Sequence, residues 1–146
     1  MAIRLQSLNF LDLFIRHANF EAELMKLGSP GPVEDFAWNQ VDRGRDNDGT
    51  VLVAFESVNL PGHFLRHRDF RLQLTRDDGS ALFRKDSTFR RRNGLEGDPE
   101  QGWRSFEASN FRDHFIRHRD FHVYVEKGDK NPASFKRDAT FKRVSI

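Results

Sequence analysis

The stretch His63–Phe70, which reads HFLRHRDF, decides the fold because it occurs three times along the chain. Residues 114–121 read HFIRHRDF, and residues 13–20 read LFIRHANF. The copies lie 50 and 51 residues apart, so three of them fill the 146 residues. Repetition at a fixed period is typical of a fold built from equivalent units. We therefore predict a single domain, 1–146, with repeats at about 1–50, 51–101 and 102–146.

Three further features recur in each copy. An Asn lies eight residues before the His of the Arg-His pair, a Phe lies three residues after it, and an Asp-x-x-aromatic motif follows about 20 residues later. The positions are Asn9, Asn59 and Asn110, then Phe20, Phe70 and Phe121, then Asp35, Asp86 and Asp138. The first copy has diverged, because Pro32 stands where the others have Phe83 and Phe135.

Within each copy the apolar residues recur with a period of two. Val51, Val53 and Phe55 alternate with other residues, which is the pattern of a strand with one buried face. Clusters of Gly, Pro, Asn and Asp separate these short runs, and we predict no helices. The strands predicted in the second copy are 51–57, 63–67, 70–75 and 87–91. Three four-stranded units of about 50 residues, with about twelve strands, predict an all-β fold, the β-trefoil, with the Phe residues mostly in its core.

Composition excludes several classes of function. The chain has no Cys, which rules out disulfides, thiol catalysis and Cys-based zinc sites. The 24 basic and 22 acidic residues leave a net charge of only +2. We therefore expect no nucleic acid and no membrane as partner. The first residues lack the apolar stretch of a signal peptide. We expect a monomer that is cytoplasmic as written, or extracellular if it was excised from a secreted enzyme.

Neither metal binding nor catalysis is indicated. The pairs His63/His67 and His114/His118 have the spacing of a helical zinc motif. On a strand that spacing spans about 13 Å, which is too far for one ion. Glycoside hydrolysis needs two carboxylates about 5–9.5 Å apart, whereas here one Asp comes from each repeat. We predict no metal site, no catalytic residue and no cofactor.

The repeated motif resembles a known family. Asn-x-x-x-x-Phe-[Ile/Leu]-Arg-His-x-x-Phe, followed by Asp-[Ser/Ala]-Thr-Phe, is similar to the arabinofuranose-binding domain of α-L-arabinofuranosidase B, the family 42 carbohydrate-binding modules. The resemblance covers about residues 5–144. It implies a β-trefoil with up to three sugar pockets, each using the His of the Arg-His pair, the Asp and nearby aromatic rings. Members commonly carry Tyr where this chain has Phe64 and Phe115.

Carried over to this sequence, the resemblance selects ligand-binding residues in the second and third copies. They are His67, Phe70 and Asp86, then His118, Phe121 and Asp138. In the first copy His17 and Asp35 are weaker candidates, because Pro32 replaces the aromatic residue. A carboxylate that meets a sugar is expected to be solvated in the free protein. The expected partner is an arabinose-containing polysaccharide or oligosaccharide.

Two other functions compete with sugar binding. In a symmetric fold the His and Asp residues can be structural, which would leave a protein-interaction or structural trefoil. Residues 102–146 also carry 10 basic and 6 acidic residues, an excess that could bind a heparin-like polyanion. Arg90–Arg92 and the pairs at 136–137 and 142–143 would contribute to such a patch.

Overall fold

The computed structural model describes residues 2–128 and 131–146, and within them twelve strands follow the predicted repeats. In the first copy they are β1 (Ala2–Ser7), β2 (Leu13–Ala18), β3 (Glu21–Lys26) and β4 (Trp38–Arg45). In the second they are β5 (Val51–Ser57), β6 (His63–Arg68), β7 (Arg71–Arg76) and β8 (Phe89–Asn93). In the third they are β9 (Trp103–Ala108), β10 (Phe115–Arg119), β11 (His122–Glu126) and β12 (Phe141–Ser145).

The first and fourth strands of the three copies form a closed barrel. The hydrogen-bonded order is β1, β12, β9, β8, β5 and β4, and β4 pairs again with β1. Every pairing in this ring is antiparallel. The barrel therefore has no free edge.

The second and third strands of each copy form a hairpin, and the three hairpins cap one end of the barrel. Each hairpin turns through two residues with positive φ, and the second is always a Phe: Phe20, Phe70 or Phe121. Bulky residues rarely adopt this conformation. Each of these Phe carbonyls accepts a 2.8 Å hydrogen bond from a backbone amide in the third strand of the next copy. The amides are those of Leu74, Val125 and Leu24 respectively. The turns thus link the three copies in a ring, which completes the β-trefoil.

Aromatic rings fill the barrel, as the sequence predicts. Phe55, Phe89, Phe106 and Phe141 are at most 1% exposed. Trp38 takes the place of Phe89 and Phe141 in the first copy and is fully buried. Phe55 and Phe106 meet edge to face, with ring centroids 5.1 Å apart, a geometry that aromatic pairs favour.

The prediction of no helices is wrong. Two short helices, α1 (Ala81–Asp86) and α2 (Pro132–Asp138), precede β8 and β12, and a 3₁₀ turn at Val33–Phe36 precedes β4. A helix of six or seven residues is too short to show a 3.6-residue apolar period. Its signal is the capping residue: Ser80 Oγ accepts from the Phe83 amide at 3.0 Å. A second 3₁₀ turn lies at Pro99–Gln101. Among the described residues, no helix is long and apolar enough to cross a membrane.

Candidate functional site

The recurring polar residues meet at three places, and the second copy shows the arrangement. His67 lies on β6, Asp86 ends α1, and Asn110 follows β9 of the next copy. His67 Nε2 lies 2.8 Å from Asn110 Oδ1, and Asn110 Nδ2 donates to Asp86 Oδ1 at 2.9 Å. The other carboxylate oxygen of Asp86 accepts a short hydrogen bond from Arg66 Nη2. We call this four-residue group with its surroundings the second pocket.

The same network is present in the other two copies. The first pocket contains Arg16, His17, Asp35 and Asn59, and the third contains Arg117, His118, Asp138 and Asn9. In both, the distance from the His Nε2 to the Asn Oδ1 is 2.8 Å. In all three pockets the Asn comes from the following copy, so Asn9 joins the start of the chain to the pocket near its end. Each pocket is therefore a junction between two repeats.

The hydrogen bonds determine which nitrogen of each His ring acts as the donor to the Asn. A carboxylate paired with Arg only accepts, so the Asn must turn its amide nitrogen to the Asp and its oxygen to the His. The His must then donate through Nε2, which leaves Nδ1 as an acceptor in the neutral ring. Within the described residues Nδ1 of His17, His67 and His118 has no partner, and none of these atoms is sealed from solvent. In its neutral form each ring would thus offer Nδ1 as an unused acceptor.

Burial favours the neutral form of His118, the histidine of the third pocket. Desolvation lowers the pKa of His118, and the positive charge of Arg117 lowers it further. The negative charge of Asp138 opposes this shift without cancelling it. His118 is therefore neutral at pH 7 and can accept a hydrogen bond at Nδ1.

The Asp side chains are less accessible than we expected. Asp86 is only 7% exposed and Asp35 8%, while Asp138 is slightly more open. The expectation that these carboxylates are solvated in the free protein is wrong, because Arg and Asn side chains already cover them. Removing one charge of a buried pair leaves the other uncompensated, which typically costs about 3–5 kcal/mol. Each Asp thus contributes to stability whether or not it contacts a ligand.

Exposed aromatic rings surround the polar groups of the second pocket. Phe111 lies over His67, with ring centroids 5.4 Å apart. Phe70 lies beside Phe111 at 6.0 Å and stacks on His114 at 5.7 Å. Phe70 and Phe111 are each nearly half exposed. The polar network of the second pocket thus lies next to two phenyl rings that face solvent, Phe70 and Phe111, which we call the wall of this pocket.

The third pocket has the same wall. Phe10 lies 5.5 Å from the His118 ring and 5.7 Å from the Phe121 ring. Both Phe side chains are exposed. Like Asn9, Phe10 comes from the start of the chain.

The first pocket keeps the polar network but differs in its wall. Leu60 stands at the position of Phe10 and Phe111, so the ring over the histidine is missing. The loop before Asp35 also closes over the ion pair, because the Pro30 carbonyl accepts from Arg16 Nη1 at 2.9 Å. Gly31 has a φ of 110°, which L side chains rarely adopt, and a Cβ there would lie 2.7 Å from Arg16 Nη2, so glycine is favoured at this position.

The aromatic residue that the first copy lacks at Pro32 is supplied elsewhere. Phe36, one residue after Asp35, lies under the Arg16 guanidinium with 5.0 Å between Cζ and the ring centroid. Phe83 and Phe135 do the same for Arg66 and Arg117, at 5.4 and 5.1 Å. The replacement at Pro32 therefore does not remove the ring beside the arginine, and the first pocket differs from the others at Leu60 and in the loop before Asp35.

Sequence reasoning missed the arginine of each network. Arg66 precedes His67 on a strand, and alternation predicts that the two side chains point to opposite faces. The structure buries both, because the Arg66 side chain turns back so that Nε donates to the His67 carbonyl at 3.1 Å. The invariant Arg in all three copies was the available signal. The recurring Asn was noticed, but its contact with the preceding copy was not.

The strand position of the His-x-x-x-His motif is confirmed in the second copy, where β6 contains both histidines. His114 lies one residue before β10. Among the described residues no group of three or more His, Cys, Asp or Glu side chains could hold a metal ion.

The basic residues near Arg90 do not form a patch of unpaired charge. Arg90 is buried and pairs with Asp46, and Arg92 pairs with Glu107 at 2.9 Å. Carboxylates thus neutralise two of the charges that a polyanion patch would need.

The closed barrel, the hairpin cap and the threefold recurrence of the polar network define a β-trefoil domain. The chain belongs to the alpha-L-arabinofuranosidase B (ABFB) domain family, whose model matches residues 3–143. The family resemblance inferred from the repeated motif is confirmed.

Curated relatives include arabinofuranosidases of fungi. The chain is 37% identical to alpha-L-arabinofuranosidase B of Emericella nidulans over 73 residues, which are 50% of this chain and 14% of that protein. It is 46% identical to a probable alpha-L-arabinofuranosidase B of Aspergillus terreus over 48 residues, 33% of this chain and 10% of that protein. These matches thus span a small part of the relatives' length.

Solved structures confirm the fold. An arabinofuranosidase complexed with arabinofuranosyl-alpha-1,2-xylobiose has a TM-score of 0.81 at 22% identity, over 99% of this chain and 30% of that one. The designed threefold-symmetric protein ThreeFoil has a TM-score of 0.69 at 12% identity, over 99% of both chains. The β-trefoil prediction is confirmed.

Proposed function

We propose that the protein is a non-catalytic carbohydrate-binding module that recognises arabinofuranosyl or related side-chain sugars through its second and third pockets. The observation that carries this proposal is a histidine whose Nε2 is held by an Asn while its Nδ1 has no partner among the described residues, next to a carboxylate and beside an exposed phenyl ring. Membership in the arabinofuranosidase B domain family supports it. We also propose that residues 1–146 form one domain and that the protein is a monomer.

The chemistry of each pocket suits a small sugar. The His Nδ1 can accept a hydrogen bond from one hydroxyl, and each Asp oxygen keeps acceptor capacity beyond its Arg or Asn bond. Adjacent sugar hydroxyls are donors of matching spacing. The exposed Phe rings can cover the C–H face of the sugar, which is how sugar sites commonly combine a few polar groups with an apolar wall.

The same geometry argues against catalysis. Each pocket holds one carboxylate among its four network residues, and that carboxylate is paired with an arginine. Beside the third pocket Glu126 is paired with the same Arg117, at 3.3 Å. Acid–base cleavage of a glycoside requires two carboxylates about 5–9.5 Å apart, one of which gives up a proton as the acid, and carboxylates held by an arginine do not suit that role. We therefore propose binding without bond cleavage, with polymer affinity coming from two pockets that engage one branched chain.

The test uses the exposed walls, because Asp variants would also lose stability. Phe111→Ala alters the second pocket and Phe10→Ala the third, and each removes a ring that is already more than two-fifths exposed. We expect each to remove about half of the capacity of the protein for arabinoxylan or arabinan, and the double variant nearly all of it. Binding to insoluble polysaccharide measures the capacity.

Leu82→Ala is the matched control, because Leu82 is 64% exposed on α1 and belongs to none of the networks. Its binding should equal that of the unsubstituted protein. A double variant that still binds would show that the pockets are not the site. A parent protein without affinity for any furanose or pentose polymer would favour the competing role, in which the buried networks only join the repeats.

A further inference from the structure

The barrel end opposite the hairpin cap carries an unusual set of side chains. Gln40, Arg91 and Arg143 occupy equivalent positions on β4, β8 and β12. They lie opposite the core residues Phe55, Phe106 and Leu5 respectively. Residues directly opposite in an antiparallel pair share a face of the sheet. These three positions therefore face the inside of the barrel.

A second layer of positions reaches the same end. Arg104 lies opposite Phe141, and its equivalents Ile3 and Val53 lie opposite Trp38 and Phe89. Of these six positions, three are thus arginines, and all three come from the second and third copies. The next positions along the fourth strands, opposite Val53, Arg104 and Ile3, are Asp42, Asn93 and Ser145. We call Gln40, Arg91, Arg104 and Arg143 the mouth cluster.

Within residues 2–128 and 131–146, Arg91, Arg104 and Arg143 form no ion pair with a carboxylate. The Asp42 carboxylate, which lies opposite Val53 on β4, accepts from the Gly44 amide at 2.8 Å. Arg143 Nη1 donates to Gln40 Oε1 at 3.0 Å, and Arg104 Nη1 donates to backbone carbonyls. Arg143 Nε is buried without a hydrogen-bond partner. Burial lowers the pKa of Arg143, and the positive charges of Arg91 and Arg104 lower it further.

An open space adjoins the cluster. A cleft of about 410 Å³ is lined by Ile3, Gln40, Gly102, Arg143 and Ser145. It lies where β1 begins and β12 ends. The sugar pockets lie at the opposite ends of these strands, where Asn9 follows β1 and Asp138 precedes β12. The cleft is therefore separate from them.

Like charges held together in a partly buried place destabilise a fold unless an opposite charge joins them. Guanidinium groups present planar donors that match the oxygens of phosphate or sulfate. We propose that the mouth cluster binds a phosphate or sulfate group, with Arg143 as the principal donor and Arg91, Arg104 and Gln40 around it. This site is independent of the proposed sugar binding.

The test is titration calorimetry of the full chain with inorganic phosphate and with inorganic sulfate, against sodium chloride of equal ionic strength. We expect one oxyanion per chain and no comparable heat from chloride. Arg143→Gln and Arg91→Gln should each weaken binding about tenfold, the effect of losing one charge-assisted contact. Arg76→Gln, on the exposed end of β7, is the matched control and should bind like the parent.

Thermal melting without added oxyanion provides a second signature. Arg143→Gln and Arg91→Gln should melt at the same temperature as the parent or higher, because like-charge repulsion is reduced. At the same phosphate concentration the melting temperature should rise more in the parent and in Arg76→Gln than in Arg143→Gln or Arg91→Gln. Equal responses to phosphate and chloride, or full phosphate binding by Arg143→Gln, would overturn the proposal.

A sulfated oligosaccharide distinguishes the two sources of such a group. Tighter binding than inorganic sulfate would assign the site to a group carried on a polymer, and equal binding to the free anion. In Arg143→Gln the binding of arabinoxylan should be unchanged. The outcome at the mouth cluster is thus separate from the outcome at the pockets.

Discussion

The first pocket and the second pocket share their polar network and differ in their wall. Both contain an Arg–Asp pair, a His that donates to an Asn, and an Asn from the next copy. Only the second has an exposed aromatic ring over its histidine, because Leu60 replaces Phe111 in the first. The network thus persists where one ring of the wall is missing, which indicates that it has a structural role in every copy. Our proposal is that the complete wall distinguishes a binding pocket from a junction.

The largest expected effect tests whether the networks are structurally equivalent. Asp35→Ala and Asp86→Ala should each lower the free energy of unfolding by about 3–5 kcal/mol, because each leaves a buried arginine unpaired. Urea unfolding measures both values. A loss much smaller in Asp35→Ala than in Asp86→Ala would mean that the first network is no longer needed.

The repeat predicted the strands because a buried barrel position constrains the same residue type three times. Phe89 and Phe141 recur with Trp38 for that reason, and no helix signal competes with their alternation. His67 and Asp86 were selected by resemblance to a family, and their burial was not foreseen. His67 and Asp86 are buried because Arg66 and Asn110 cover them, and both of these residues reach the pocket through tertiary contacts.

Other features lay beyond a reading of local patterns. The helix that carries Asp86 is too short to have a period, and Phe111 belongs to the next copy. In the first copy Phe36 supplies the ring that Phe83 and Phe135 supply in the others. Because Phe36 stands at a different position of the repeat, alignment of the copies shows only that Pro32 replaces an aromatic residue. The position of Arg143 in the barrel follows from strand register, which the sequence predicts only roughly.

A smaller loss of stability is expected when the Asn residues that bridge the copies are replaced. Asn110→Ala should lower the free energy of unfolding by about 1–3 kcal/mol, because it leaves polar groups of Asp86 and His67 with fewer partners. Asn59→Ala should cost about 0.5–1.5 kcal/mol more, since Asn59 also accepts from Ser57 Oγ at 3.0 Å. Ala108 stands at the place of that serine in the second pocket.

Chemical denaturation of the two Asn variants gives this difference directly. Equal losses would show that the serine contact adds nothing to the first network. A loss below experimental error in both would contradict the account of the pockets as junctions between copies.

A pH dependence is expected from the third pocket. The folded protein lowers the pKa of His118 through burial and Arg117, so the unfolded chain binds the proton more tightly. Stability from this residue is therefore complete above the ordinary value of 6.5 and is lost as the pH falls below it. Between about pH 7.5 and about pH 5 the parent should lose more stability than His118→Gln.

Melting temperatures of the parent and of His118→Gln across that range isolate the contribution of this residue from that of all other groups. Parallel curves for the two proteins would show that His118 does not titrate differently on unfolding.

The smallest change in stability is expected from restoring the missing wall. Leu60 is partly exposed, so Leu60→Phe should alter the free energy of unfolding by less than about 0.5 kcal/mol. It should add a third sugar-binding site, because it places a ring beside His17. Titration with a soluble arabinofuranosyl oligosaccharide counts the sites. An unchanged count would mean that the closed loop at Pro30 and Gly31, and not the missing ring, makes the first pocket inactive.

The central proposal is that two of three equivalent networks bind sugar through the Nδ1 atom of a histidine. Nitrogen-15 NMR of the imidazole rings, recorded during titration with an arabinofuranosyl oligosaccharide, tests it most directly. We predict that the Nδ1 signals of His67 and His118 shift with the sugar while that of His17 stays in place. Unchanged signals of His67 and His118 at saturating sugar, or equal shifts of all three rings, would contradict the account.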